Sequence, residues 1–201
     1  MSRTLLETIR CEEGRPAHLE YHQQRAERSL RQLGYPLHLD LSALIAPPDN
    51  ALYRCRVLYD AASARAEYIP YQTKTVQTLQ LIQADTLDYA LKYADRAELE
   101  YLFAQRRGAD DILIVKNGLI TDTSIANIAF FNGAQWLTPK RPLLAGTTRE
   151  RLLDEKRIIE SDIAPDDLAD FEAFALLNAM VGFQNVKDGI IAPMKGVDDA
   201  V

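Results

Sequence analysis

The sequence has little that would mark a secreted, membrane-spanning or nucleic-acid-binding protein. Its 201 residues hold two cysteines, Cys11 and Cys55. Two are too few for a disulfide framework and fit a reducing compartment. No apolar run approaches the roughly 18 residues that a transmembrane helix needs. The opening MSRTLLETIR lacks an apolar signal core and reads instead as a strand. Basic excess is missing too: the net charge is −6, which argues against nucleic-acid or anionic-membrane partners. There is no internal repeat and no low-complexity segment, and no metal is expected. These absences leave a cytoplasmic protein acting on a small molecule as the expectation.

What remains is ordinary globular composition, with 47% hydrophobic and 26% charged residues, and enough length for one domain or two small ones. Thr4–Arg10 alternates as a strand, with Leu5, Glu7 and Ile9 on one side and Leu6, Thr8 and Arg10 on the other. A turn at 12–15 uses Gly14. A helix follows from about Leu19 to Leu33, ended by Gly34. Residues 40–50 read as a short helix or loop, and Leu52–Asp60 with Arg65–Tyr71 as a hairpin. The domain junction is expected at Pro70–Gln72, giving a small α+β domain (1–72) and a larger one (73–201). In the larger domain, strands are expected at Thr75–Ile82, Asp111–Lys116, Ile125–Phe131, Gln135–Thr138, Arg157–Ile163 and Ala173–Asn178. Asn117-Gly118 and Asn132-Gly133 supply tight turns. Helices are expected at Arg96–Arg107, with Asp95 as N-cap, at Thr147–Glu155 and briefly at Pro165–Ala169. The tail after Asp188 is expected to be loose.

Several side chains stand out for chemistry. Lys92 lies in DYALKYADR (88–96), a polar segment. His22 and Arg25 share one helix face. The helix at Thr147 follows Ala145-Gly146, so its free N–H groups and positive dipole end could hold an anion. Arg54 and Arg56 share a face of one strand and would suit a substrate carboxylate. A lysine, a carboxylate, a phosphate-sized helix N-terminus and an anchoring arginine are what pyridoxal phosphate requires.

Taken in order, the segments LLETIR, HQQR, LKYADR, GLITDTSIANIAFF, TPKRPLLAGTTR and LLNAMVGFQNV resemble the class IV aminotransferases. The likeness runs from about Leu5 to Val186. It implies an α+β, two-domain, fold-type IV enzyme of the D-amino-acid aminotransferase kind, with pyridoxal 5'-phosphate as cofactor. Lys92 would be the Schiff-base lysine and proton carrier. Arg25, Thr147 and Thr148 would hold the cofactor phosphate, and Asp122 would pair with the pyridine nitrogen. Asn127, Asn178 and Ala179 would line the pocket.

Three departures qualify the likeness. Asp122 stands where the family has Glu, one methylene longer. The chain opens at LLETIR without the segment that precedes it in the family, an apparent N-terminal truncation, and the region between Gln32 and Leu52 is shorter than usual. The closing LLNAMVGFQNV resembles the aminodeoxychorismate lyases most, which would make Thr8 the proton donor. A branched-chain or D-amino-acid transaminase, and a non-catalytic remnant of the fold, are the other readings. The family further implies a homodimer.

Overall fold

The computed structural model describes residues 3–194, and the chain forms two compact units. The first holds the residues up to Lys74 together with Tyr89–Asp95 and Ala179–Gly182; the second holds Thr75–Asp88, Arg96–Asn178 and the chain from Phe183 on. The first boundary falls two residues beyond the expected one. A single cut does not describe the division, however, because the Lys92 segment and a short piece near Ala179 belong with the N-terminal residues.

In the first unit, β1 (Leu5–Glu12) turns through Glu13 and Gly14, both at positive φ (53° and 71°), into β2 (Arg15–Pro16). Then come α1 (Leu19–Gln32), α2 (Leu41–Leu44), β3 (Tyr53–Tyr59) and β4 (Ala64–Pro70). The strands form an antiparallel sheet in the order β2-β1-β3-β4. Period-2 alternation sends Leu5, Ile9, Cys11, Cys55, Val57 and Tyr59 to one face, where Ala26 and Leu30 of α1 close the core. Both cysteines are free thiols within this core. Residues 91–94 dock onto β1: the Leu6 N–H donates to the Lys92 carbonyl (2.9 Å), the Ala94 N–H to that of Thr4 (3.0 Å), and Leu5 bridges Tyr93.

The second unit contains β5 (Thr78–Gln83), α3 (Ala97–Ala104), β6 (Asp111–Lys116), β7 (Leu119–Thr123), β8 (Asn127–Phe131), β9 (Trp136–Pro139), α4 (Thr147–Asp154), β10 (Ile159–Ser161), a 3-10 turn (Pro165–Asp170), β11 (Ala173–Asn178), all but the first residue of β12 (Gly182–Lys187) and β13 (Ile190–Ala192). The sheet path is β10-β9-β8-β7-β6-β5-β13, with β11 pairing β8 and β12.

Four expectations are corrected here. Residues 119–123 form a strand of their own, because Thr123 turns the chain before Asn127. Its Oγ1 accepts from the Ile125 and Ala126 N–H groups (3.3 and 3.1 Å), leaving Ile125 exposed. The N-cap of α3 is Arg96, without a side-chain cap, rather than Asp95. This helix stops at Ala104, short of the positive φ angles of Arg107 and Gly108. Finally, Ile190–Ala192 is not loose but pairs in parallel with β5. The approach depends on Gly189, where a Cβ would lie 2.3 Å from the Phe174 ring. The remainder of the expected loose tail, 195–201, lies outside the described residues.

Candidate active site

In the second unit the focus is Asp122, near the end of β7 and 4% exposed. Its Oδ1 accepts from Asn127 Nδ2 (2.8 Å) and its Oδ2 from the Leu144 N–H (2.8 Å). Asn127 Nδ2 also donates to the Leu144 carbonyl (2.8 Å), so the two side chains and the 143–146 loop form one knot. Burial pushes the Asp122 carboxyl up to about 6, against the opposing effects of Asn127, the Leu144 N–H and the Arg149 charge. A buried carboxylate held uneasily in its charged form is suited to a cationic N–H partner.

The loop leads directly into α4. Gly146 is its N-cap, with no side-chain cap, and a Cβ there would stand 1.9 Å from Asn127 Oδ1. Glycine is therefore required by space rather than by φ, which is an ordinary −76°. Thr147 and Thr148 are both buried in the first turn. This places the N-terminal N–H groups and two hydroxyls beside the Asn127 knot, a combination suited to a phosphate. Arg149 fixes α4 from below: its Nη2 donates to the Pro139 carbonyl (2.9 Å) and to Glu160 Oε1 (2.6 Å). Arg149 is the arginine of LLAGTTR, and the motif alone assigns it no role.

In the first unit, Lys92 is half-buried and its backbone is tied to β1. Arg25 is buried on α1. Its Nε donates to Glu7 Oε1 (2.9 Å) and its Nη2 to Glu7 Oε2 (2.5 Å), a two-pronged ion pair. His22 Nδ1 meets Glu7 Oε2 at 2.6 Å. Burial opposes the charge on Glu7, but the Arg25 charge and the hydrogen bonds from His22 and Arg25 prevail and hold its carboxyl down at about 2. Glu7 is thus ionised, and the His22 Nδ1–H must be the donor. Burial lowers the His22 pKa, the Arg25 and Lys92 charges lower it further, and Glu7 opposes them. Glu7 is a site residue absent from the expected set. The signal was present, since a glutamate on the Leu5/Ile9 face must be buried and so must find a cation.

The remaining expected residues are spread across both units. Asn178 ends β11 in the second unit, with Nδ2 3.5 Å from the Ile125 carbonyl. Ala179 belongs to the first unit. Thr8 lies on β1 directly opposite Arg56. The structure brings Asp122, Asn127, Thr147 and Thr148 together in one unit, and Arg25 and Lys92 into the other.

A two-unit α+β chain with a lysine strapped to its opening strand, and a buried carboxylate behind a glycine-capped helix, has the build of the fold-type IV pyridoxal phosphate enzymes. The chain belongs to the class IV aminotransferase family, whose model matches residues 4–188. It is similar to a crystal structure from Haemophilus somnus 129pt, provisionally named a 4-amino-4-deoxychorismate lyase. That likeness has 38% identity and a TM-score of 0.84, and covers 90% of this chain and 97% of the other. A Schizosaccharomyces pombe protein, provisionally named an aminodeoxychorismate lyase, is 30% identical over 86% of this chain and 83% of its own length. A Mesorhizobium loti crystal structure, provisionally named an amino-acid aminotransferase, is 25% identical with a TM-score of 0.80, covering 92% of this chain and 98% of that one. Among the described residues, no helix is long and apolar enough to cross a membrane.

Proposed function

We propose that the protein is a pyridoxal-phosphate-dependent lyase that converts 4-amino-4-deoxychorismate to 4-aminobenzoate and pyruvate. The observation that carries the cofactor is Asp122, a buried carboxyl at about 6 whose bonds to Asn127 and Leu144 aim it beside the N-terminus of α4. The donor set fits pyridoxal phosphate: an acceptor for a ring N–H, a cradle that a Cβ would fill, and helix N–H groups with two threonines for the phosphate. Support for the lyase over other family chemistries comes from the Haemophilus somnus and Schizosaccharomyces pombe relatives.

In this reading Asp122 holds the proton on the ring nitrogen, and Asn127 fixes the carboxylate. Thr147, Thr148 and the first turn of α4 hold the phosphate, with Arg25 as a further cation kept rigid by Glu7. Asn178 and Ala179 line the pocket. When bound, the cofactor supplies an electron-withdrawing ring that acidifies the substrate carbon bearing the amine. Lys92 Nζ would hold the cofactor covalently and would serve as the base for the proton on that carbon. Thr8 Oγ1 delivers a proton to the departing enolate. The working unit is a homodimer in this proposal, and sedimentation of active protein tests that part.

The test is the product balance. Purified protein given aminodeoxychorismate releases pyruvate and 4-aminobenzoate in equal amounts, with no amino acceptor added. Amino transfer to 2-oxoglutarate without 4-aminobenzoate would overturn the lyase in favour of a transaminase, the reading that the Mesorhizobium loti likeness favours.

A further inference from the structure

Asp122 and Asn127 face each other as a register pair of β7 and β8, so the residues between them, 123–126, set how Asn127 meets the acid. Thr123 closes this turn from within: its N–H donates to the Ala126 carbonyl (2.9 Å), and its Oγ1 accepts from the Ala126 N–H (3.1 Å). Such a closure fixes the shape of the turn but not where it lies. Placement requires a bond to another element, and the carbonyls of Ser124 and Ile125 are the acceptors the turn offers. Ser124 is buried, so a carbonyl left without a donor there is costly.

The Ser124 carbonyl takes its donor from Arg96, 28 residues earlier, whose Nη2 reaches it at 2.7 Å. A guanidinium donor makes this a charge-assisted bond, stronger than a neutral one. Among the described residues the Ile125 carbonyl has only Asn178 Nδ2, at 3.5 Å. Asp111, on β6, faces the turn without bonding it. Burial raises its carboxyl, although the Ser124 and Thr123 hydroxyls turn towards it. Its Oδ1 accepts from the Ile112 N–H (2.8 Å), and its Oδ2 is sealed from solvent without a hydrogen-bond partner. Arg96 is also the N-cap of α3, but with no side-chain cap. The helix start therefore does not depend on its guanidinium.

We propose that Arg96 is a positioning residue: through the Ser124 carbonyl it holds the 123–126 turn in place, and so keeps the Asn127 amide on the Asp122 carboxylate. Asn127 Nδ2 serves both Asp122 and the Leu144 carbonyl at 2.8 Å. Hydrogen bonds weaken steeply with misalignment, so a small shift of the turn is felt at the acid. The clamp in turn sets how well Asp122 accepts a ring N–H. That last step rests on the cofactor reading above; the hold on Asn127 does not.

The first measurement is hydrogen exchange at the Asn127 side-chain amide, followed by NMR in the cofactor-free full chain and assigned by its loss in Asn127→Asp. Arg96→Ala speeds this exchange by roughly tenfold to a hundredfold, the range for losing a charge-assisted hydrogen bond, while the backbone amides of β5 keep their wild-type rates. Arg96→Lys, which retains a donor, falls between. If Arg96→Ala fails to melt cooperatively, Arg96→Gln and Arg96→Lys decide the matter. Unchanged exchange overturns the proposal, as does equal acceleration in β5, the mark of a general loss of stability. The second measurement titrates pyridoxal 5'-phosphate against deazapyridoxal 5'-phosphate, which has carbon in place of the ring nitrogen. Both carry the same aldehyde and phosphate, so the ratio of affinities isolates the Asp122 contact. Wild type prefers the pyridine, and Arg96→Ala reduces the preference by roughly tenfold. Faster Asn127 exchange in Arg96→Ala, with a wild type indifferent to the ring nitrogen, sinks Asp122 as the cofactor's partner and leaves the hold on Asn127 standing. A wild-type preference that Arg96→Ala retains in full overturns the positioning role and leaves the cofactor reading standing.

Discussion

Gly146 and Asn127 fit so closely that a methyl group on the glycine would come within 1.9 Å of the Asn127 amide oxygen. That amide is also the group that clamps Asp122 and holds the 143–146 loop through the Leu144 carbonyl. Backbone packing at the helix start and orientation of the buried acid are therefore one arrangement.

Gly146→Ala must push Asn127 or the start of α4 aside. We expect a loss of stability of about 1–3 kcal/mol, typical of overpacking, and weakened pyridoxal phosphate binding. Thermal melts and a cofactor titration measure the two effects. An alanine variant that binds the cofactor as wild type does removes the cradle from the proposed site.

Replacing Lys92 separates binding from attachment. Lys92→Ala should retain the cofactor through noncovalent contacts but yield no borohydride-stable adduct by mass spectrometry, with activity reduced at least about a thousandfold. An adduct that persists on another lysine would show that Lys92 is not the attachment point.

Glu7 should behave as the keystone of the first unit. Glu7→Gln leaves the buried Arg25 without its counter-charge, and breaking such a pair costs about 3–5 kcal/mol. The pH dependence has a definite sign. The folded Glu7 carboxyl, at about 2, lies below its ordinary 4.5. The wild-type advantage over Glu7→Gln is thus fully present above pH 4.5 and fades as pH falls towards about 2. Urea unfolding of both proteins across this range tests it, and a pH-independent gap contradicts the ion-pair account.

Asp122 should act with the opposite sign. Its folded value of about 6 lies above the ordinary 3.8, so the folded apo-protein holds this proton more tightly than the unfolded chain does. Its contribution declines as pH rises from 3.8 to about 6, by about 3 kcal/mol in all. Asp122→Asn does not titrate there and should gain on wild type over that interval, with no further change above it. Cofactor binding should suffer in the same variant. Unfolding free energies of the two apo-proteins at pH 4, 5, 6 and 7 check the slope, and a flat difference contradicts it.

Most of the local structure, and the family, follow from the residues taken in order. Alternation along Leu5–Cys11, the apolar stripe of α1 and the Asn-Gly turn at 117–118 follow from side-chain period and backbone preference, which act within a few residues. The order of LLETIR, HQQR, LKYADR and LLAGTTR carried the class IV likeness without any knowledge of contacts. Which charge neutralises which is settled in the folded chain. That Glu7 takes both Arg25 and His22 depends on a helix docking over one point of a strand. That Arg10 finds Glu12 and Met180 while Arg54 finds no partner among the described residues depends on strand register. Nothing local in the sequence marks Gly146 or Gly189 as required, yet they are needed because Asn127 and Phe174, distant in the chain, come to rest against them. The strand at Ile190–Ala192 has no strong pattern of its own and exists because β5 offers an unpaired edge. In each case the deciding energy is the pairing or packing of groups remote in sequence, and local periodicity does not encode it.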